Sequence, residues 1–95
     1  MSERGLNGHE VCRALGDPTR TRILQRLVQV YPQPQTITDL EKAVQEAVSP
    51  TTISFHLRKL REAGLVRSAG HRRGFQALRR AVSIKFDDDG IRVEG

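Results

Sequence analysis

The sequence of 95 residues lacks several features that particular classes of protein require. Its single cysteine, Cys12, excludes an internal disulfide framework and a cysteine-rich zinc module, and it favours a reducing compartment. Tryptophan is absent, and no apolar run approaches the roughly 18 residues that a membrane span needs. Because the first residues lead into no apolar stretch, we expect no secretion signal. These absences favour one soluble, cytoplasmic domain that does not contact a membrane.

Positive charge is concentrated in one segment. The net charge is +5, from 16 basic and 11 acidic residues. Residues 58–80 hold eight of the basic side chains and only Glu62 as an acid, whereas acids and bases balance before residue 58. Such a local excess is typical of a face that binds a polyanion. The alternative is a solvated basic surface.

Hydrophobic spacing and capping residues predict two helices in the first third of the chain. One covers about residues 7–15. The next begins at Asp17-Pro18, because Asp accepts hydrogen bonds from free N–H groups and Pro suits the first helical position. The prolines in residues 32–35 end it and form a stiff loop.

The middle of the chain predicts two more helices. Thr38-Asp39-Leu40-Glu41 matches a capping box. Ser49-Pro50 repeats the signal of a cap followed by proline, and Gly64 ends the last helix in a left-handed conformation, with Leu65 packing back onto it. Two short helices with a tight connection, over about residues 37–63, predict a helix-turn-helix. The apolar face of the first of these helices would consist of Leu40, Ala43, Val44 and Ala47.

After Gly64 the apolar residues alternate as they do in strands. Residues 65–69 and 75–78 flank a basic, glycine-bounded turn and predict a hairpin, or wing, over about residues 65–80. Val82, Ile84 and Phe86 predict a further strand within residues 81–95. A helix with Phe75, Leu78 and Val82 on one side is the alternative.

A closing strand is expected at the end of the chain. Ile91 and Val93 would pair back across an aspartate-rich turn at residues 87–90. We expect that turn to be solvated, with weak binding of a hard cation as the alternative. The predicted fold class is therefore mainly α with a small β-hairpin wing, a winged helix-turn-helix in one domain over residues 1–95, with strand rather than helix at the C-terminus.

The last predicted helix has two chemically different faces. With Ile53, Leu57 and Leu60 directed inward, helical geometry places hydroxyl, aromatic and basic side chains outward. Such a face suits the major groove of DNA, and arginines at the wing tip suit the adjacent minor groove or backbone. The predicted DNA contacts are Thr51, Thr52, Ser54, Phe55, His56, Arg58 and Lys59 on the helix, and His71, Arg72 and Arg73 at the wing tip.

Each of these assignments has an alternative. Phe55 would rest on a thymine methyl or the groove wall, or else pack on the preceding helix or the loop before it. His56 lies at the edge of the buried face, where a hydrogen-bonded boundary residue is the alternative to a phosphate or base contact. For the wing tip the alternative is a solvated turn.

Two segments resemble one known family. Ala14-Leu15-Gly16-Asp17-Pro18-Thr19-Arg20 with Arg22-Ile23-Leu24 resembles the opening of ArsR/SmtB-type winged-helix repressors, and residues 49–66 resemble their recognition helix and its exit into the wing. The resemblance covers about residues 9–80 and implies a homodimeric bacterial or archaeal repressor, with one recognition helix per half-site of an inverted repeat. It maps base contacts onto Thr51, Ser54 and Phe55. Pro50 stands where the family often has glutamine, so base preferences are not transferred.

The sequence departs from the metal-sensing members of that family. Residues 36–41 lack the cysteine pair of the arsenic and cadmium sensors, and no histidine follows His71. We therefore expect no metal site and no cofactor, and no small-molecule effector is evident. The dimer interface would use the first helix and the C-terminal strands, with exchange of strands between chains as one form. Cys12 would be a small buried hydrophobe, with a thiol switch as the alternative.

The function predicted from these features is sequence-specific binding of double-stranded DNA by a homodimeric transcriptional regulator, a repressor. The alternative is a winged-helix module for protein or RNA contacts, in which Phe55 would anchor a protein partner. An enzyme is not expected, because the sequence has no glycine-rich phosphate loop, nucleophile motif or metal cluster.

Overall fold

The computed structural model describes residues 6–45 and 47–95. Four helices precede two antiparallel hairpins, which confirms the predicted fold class, including strand at the C-terminus. The expectation that the first residues form no secretion signal concerns residues 1–5, which lie outside the described residues. No helix in the described ranges combines the length and apolar character needed to cross a membrane. The elements are α1 Gly8–Ala14, α2 Pro18–Gln29, α3 Ile37–Val44, α4 Pro50–Glu62, β1 Val66–Ser68, β2 Phe75–Ala77, β3 Ser83–Asp87 and β4 Gly90–Glu94.

The starts of α1 and α2 follow from their capping side chains. Asn7 accepts a hydrogen bond from the N–H of Glu10 at 2.9 Å. Asp17 accepts one from the N–H of Arg20 at 3.1 Å, with Pro18 at the first helical position as predicted. Each cap satisfies an N–H group that has no partner within its helix. Cys12 in α1 is half-buried and free.

The start and end of α3 differ from the prediction. The capping box uses Thr36 and Asp39, not Thr38 and Glu41. The Thr36 hydroxyl accepts from the Asp39 N–H at 3.1 Å, and the Asp39 carboxylate accepts from the Thr36 N–H at 2.9 Å. The helix ends at Val44 with Gln45 left-handed (φ 60°), so Ala47 is not part of its apolar face.

The fourth helix is capped at both ends as predicted. The Ser49 hydroxyl accepts from the N–H of Thr52 at 3.1 Å. At the other end Gly64 is left-handed (φ 83°), its N–H bonds to Arg61 O, and the Leu65 N–H bonds to Leu60 O, both at 3.0 Å. This 6→1 and 5→2 pair is a Schellman motif. It returns the chain into β1 with Leu65 buried.

One hydrophobic core joins the helices to the first hairpin. Its largest fully buried side chains come from every layer and are Ile23 and Leu27 of α2, Leu40 of α3, Ile53, Leu57 and Leu60 of α4, Val11 of α1, and Leu65 and Val66 at the start of the hairpin. Because these residues interlock, α4 has one orientation relative to the rest of the domain.

The wing, defined here as residues 66–77, is attached on both sides. Val66 pairs with Ala77 and Ser68 with Phe75. On the other side of β2, Phe75 and Gln35 exchange two backbone hydrogen bonds of 2.8 Å. Gly74 makes this approach possible, since a Cβ there would lie 2.8 Å from the Thr36 nitrogen and still closer to Gln35. The wing is therefore fixed to the loop that leads into α3.

The C-terminal hairpin is residues 83–94, and it packs on α1 through β4. Ile91 lies against Gly8, where an added Cβ would be 2.6 Å from the Ile91 Cγ2. The alternative of a helix with Phe75, Leu78 and Val82 on one side is wrong, because residues 75–77 and 83–87 are strands. The aspartate turn is exposed, and Asp87 pairs with Arg92.

Candidate nucleic-acid interface

The fourth helix turns its aliphatic edge inward, as predicted. Ile53, Leu57 and Leu60 are fully buried. On the opposite side four predicted residues are exposed, namely Thr51, Ser54, Phe55 and Arg58. Because the apolar edge is held by the core, this outer face cannot rotate away from solvent.

Phe55 is 42% exposed and packs on side chains of its own helix. The Arg58 guanidinium carbon and the Lys59 ammonium nitrogen each lie 5.4 Å from its ring centroid. The His56 ring meets it edge-on at 5.8 Å between centroids. Cation–π contact within about 6 Å is attractive and holds the two cations beside the ring. Phe55 thus combines an apolar surface with flanking positive charge.

A groove of about 600 Å³ lies between α4 and the wing. Phe75 of β2 forms one wall, and Arg58 and Arg61 line the other side. Phe75 and Arg61 were not predicted as site residues. Arg61 could have been found from helical spacing, because it lies three residues from Arg58. Phe75 could not, since its place beside α4 depends on the pairing of β2 with β1 and with Gln35.

A second groove, of about 320 Å³, connects the wing with the start of α3. Arg72, Ser68 and Gly70 of the wing line it together with Thr36 and Thr38. A helix N-terminus carries partial positive charge that attracts anions, although at the start of α3 the capping box already uses the N–H groups of Thr36 and Asp39. No local sequence pattern indicates that the wing tip and the start of α3 share a surface.

His56 is buried, with 7% exposure, and both ring nitrogens face α2. Its Nδ1 accepts a hydrogen bond from Arg20 Nε at 3.2 Å, and its Nε2 lies 3.9 Å from an Asp17 carboxylate oxygen. Burial lowers the pKa of His56; the Asp17 carboxylate opposes this shift and Arg20 reinforces it. A neutral ring with its proton on Nε2 fits both partners. His56 is thus a hydrogen-bonded boundary residue, and its burial gives no support to a direct DNA contact.

Arg20 connects three helices at this point. Besides His56 of α4, it donates to the backbone oxygen of Ala14, at the end of α1, at 3.2 Å. Its own N–H is bonded to Asp17 at the start of α2, and this hydrogen bond is the main cause that lowers the Asp17 pKa. The Asp-Pro-Thr-Arg segment therefore does more than begin a helix: it orients α4. The Thr52 hydroxyl lies 3.0 Å from that of Ser49, the residue that caps the same helix.

The wing tip is exposed and basic. His71, Arg72 and Arg73 all face solvent. The turn requires positive φ at Gly70 (114°), Arg72 (67°) and Gly74 (97°). The Arg73 N–H closes it by a 3.1 Å bond to Gly70 O.

The eight cations of residues 58–80 differ in their contacts. Three have a charged or hydrogen-bonding partner: Lys59 with Glu62 at 3.8 Å, Arg67 with Gln76 at 3.0 Å, and Arg79 with Gly64 O at 3.0 Å. Arg80 lies on the Tyr31 ring at 5.3 Å, as Arg58 lies on the Phe55 ring at 5.4 Å. Besides Arg80, the arginines of this segment that form no ion pair or side-chain hydrogen bond with any described residue are Arg58, Arg61, Arg72 and Arg73. All four line a groove or lie at the wing tip.

A helix-turn-helix that exposes a polar and basic helix face, followed by a basic hairpin, defines the winged helix-turn-helix class. A family model described as "Helix-turn-helix domain" matches residues 15–69, and the chain belongs to this family, whose members are often ArsR-like. The family indicates DNA binding and transcriptional regulation, with DNA as the partner. Searches of curated proteins and of solved structures find no match. The matched range ends before the wing tip and the C-terminal hairpin.

Proposed function

We propose that this protein is a sequence-specific repressor of the ArsR/SmtB type that binds an inverted-repeat operator as a homodimer. The observation that carries the proposal is the outer face of α4, which exposes Thr51, Ser54, Phe55 and Arg58 while the opposite edge is fixed in the core. A helix of this kind fits the major groove, where hydroxyls, guanidinium groups and apolar surface read base edges.

The contacts divide by chemistry. Thr51, Ser54 and Phe55 read bases, with the Phe55 ring on a thymine methyl. Arg58 and Arg61, in the groove beside α4, reach guanine or phosphate. The second groove binds the phosphate backbone, because the Arg72 guanidinium and the start of α3 both favour an anion there. Arg72 and Arg73 extend the contact to the neighbouring minor groove.

Three of the sequence-predicted residues have contacts within the protein. His56 orients α4 through Arg20, the Thr52 hydroxyl contacts the capping Ser49 of the same helix, and Lys59 holds the Phe55 ring from the side. The proposal includes no catalysis, metal or cofactor. A regulator of this type acts in the cytoplasm, where its operator lies.

Selection of binding sites from random duplexes, followed by gel shifts at rising salt, tests this proposal. If Arg58, Arg61, Arg72 and Arg73 each neutralise one phosphate, the slope of log affinity against log salt should be roughly −3.5 per protomer. The double variant Arg58→Ala/Arg72→Ala should lose operator binding while its circular dichroism spectrum stays unchanged. Arg13→Ala, which removes an exposed arginine of α1, is the matched control and should bind normally. Failure to select any duplex, or binding that is insensitive to salt, would contradict the proposal.

A second candidate function rests on the exposure of Phe55. An aromatic ring left 42% exposed is also typical of a protein-binding surface. In that case Phe55→Ala would abolish binding of a protein partner, and the protein would bind duplex DNA no better than other polyanions do. The selection experiment separates the two functions.

A further inference from the structure

The strand β3 forms an exposed edge of the molecule. All five of its residues are exposed, although Ile84 and Phe86 are large and apolar. Phe86 is 73% exposed, more than Phe55. Leaving such a side chain in water forgoes the favourable free energy that its burial would provide.

The other strand of this hairpin shows which face is apolar. Ile84 lies opposite Val93 and Phe86 opposite Ile91, so all four side chains share one face of the hairpin. On β4 this face is covered, since Ile91 lies against Gly8 of α1 and Val93 packs on the core. The apolar face therefore continues from α1 across β4 and ends uncovered on β3.

The backbone of β3 is also unpaired on its outer side. The sheet has two strands, and among the described residues the outer edge of β3 has no backbone hydrogen bond. An isolated two-stranded hairpin is marginally stable, and an open edge invites another strand.

The pattern of β3 matches a second copy of itself. Ser83, Lys85 and Asp87 alternate with Ile84 and Phe86, so the alternation is symmetric about Lys85. Two antiparallel copies with Lys85 at the axis place all apolar residues on one face, whereas a slip by one residue would place apolar residues against polar ones.

Charge supports the same pairing. The like charges of the two Lys85 residues meet at the axis, but each also lies diagonal to Asp87 of the partner subunit, about 7–8 Å away and within reach of a lysine. One repulsion is thus accompanied by two attractions.

We propose that β3 pairs antiparallel with β3 of a second copy, which gives a four-stranded sheet across a two-fold axis. Ile84 then lies opposite Phe86 of the partner subunit, and both α1 helices cover the same face of the sheet. This pairing gives the interface of the homodimer in the proposed function, and its biological role rests on that function. The pairing uses neither α4 nor the wing, so the proposed DNA surface stays accessible.

The oligomeric state of the full chain tests the proposal. By light scattering after gel filtration at micromolar concentration, the wild-type protein should be a dimer. Phe86→Asp should raise the dissociation constant at least about 30-fold, the effect of losing a central aromatic anchor. Phe55→Asp, which changes an exposed phenylalanine on α4, is the matched control and should remain a dimer. A monomeric wild-type protein, or a Phe86→Asp protein that dimerises as well as wild type, would overturn the proposal.

Cross-linking tests the pairing of the strands. In a Cys12→Ser background, Lys85→Cys places two thiols directly opposite at the axis, where Cα atoms about 4.5–5.5 Å apart permit a disulfide. Ser83→Cys is the control on the same strand, because its thiols would lie four residues apart along the strands, or about 13 Å. Mild oxidation should link the first variant and not the second. Equal linking of both, or linking of Ser83→Cys alone, would refute this pairing.

DNA binding distinguishes this proposal from the preceding one. Phe86→Asp should bind a single half-site as wild type does and lose affinity only for the full operator. If Phe86→Asp breaks the dimer but the wild-type protein binds no duplex, only the proposed function is contradicted. If the wild-type protein binds the operator but Phe86→Asp leaves the dimer intact, only the β3 pairing is contradicted.

Discussion

The two hairpins of this protein have similar sequences of alternating residues but different surroundings. In the wing, Val66 and Ala77 are almost completely buried, and β2 has a backbone partner on each side. In the C-terminal hairpin, β3 has one partner and no buried residue. The difference shows that alternation determines a strand, whereas the neighbouring elements determine how firmly it is held. The wing is part of the core, and the C-terminal hairpin is attached to the core from one side.

Removing one apolar side chain at the base of each hairpin should give the largest contrast. Leu65→Ala leaves a cavity under the wing and should lower the free energy of unfolding by about 2–5 kcal/mol. Ile84→Ala changes a largely exposed site whose main contact is the cross-strand pair with Val93, and it should lower the free energy of unfolding by about 1 kcal/mol or less. Urea unfolding followed by circular dichroism measures both, at the lowest usable protein concentration so that association does not contribute. Equal losses would show that the hairpins are equally anchored.

Two glycines provide the next contrast, because both have positive φ but only one is crowded. Gly74→Ala would add a methyl group against Gln35, whereas Gly90→Ala would meet nothing within 4 Å. Backbone strain of about 1–3 kcal/mol applies to both. The Gly74 variant should therefore be the less stable in urea, and it should also weaken operator binding because the wing moves. If Gly90→Ala were the more harmful, the anchoring of the wing by Gln35 would be doubtful.

The smallest expected effect is a change of stability with pH. It arises at the contact between α2 and α4, where His56 lies, and not in either hairpin. The fold lowers the pKa of His56 from its ordinary value of 6.5. Below pH 6.5 the unfolded chain therefore binds a proton at His56 more readily than the folded protein does. Stability should therefore fall as the pH falls from 6.5 toward the lower pKa of the folded state, and then level off for this group. His56→Gln should remove this part of the pH dependence. The contribution of Asp17, whose pKa is lowered from 3.8, is lost only at more acid pH. Unfolding curves between neutral and mildly acid pH test the prediction, and an unchanged pH profile in His56→Gln would contradict it.

Local signals explain what the sequence could predict. The cap-then-proline pairs at Asp17 and Ser49 and the glycine at residue 64 act within a few residues of themselves, so the starts of α2 and α4 and the end of α4 were predicted correctly. The inward face of α4 follows from the helical repeat alone.

Features that depend on distant partners were missed. Two threonines could cap α3, and the chain uses Thr36 because it directly follows Gln35, which is held by Phe75. The bond between Arg20 and His56 joins residues 36 positions apart. No local pattern contains either partner, so the second groove could not be predicted. For His56 the sequence indicates a hydrogen-bonded boundary residue as one alternative, but it does not identify Arg20 as the partner.

The paired bonds between Gln35 and Phe75 have a mechanical consequence. They join the start of β2 to the residue before the Thr36 cap of α3, so the base of the wing and the start of α3 are held together. In the proposed complex, the duplex therefore contacts α4 and the wing at a fixed angle to each other. If the protein binds DNA as proposed, its affinity should therefore depend on the helical twist of the duplex as well as on its base sequence.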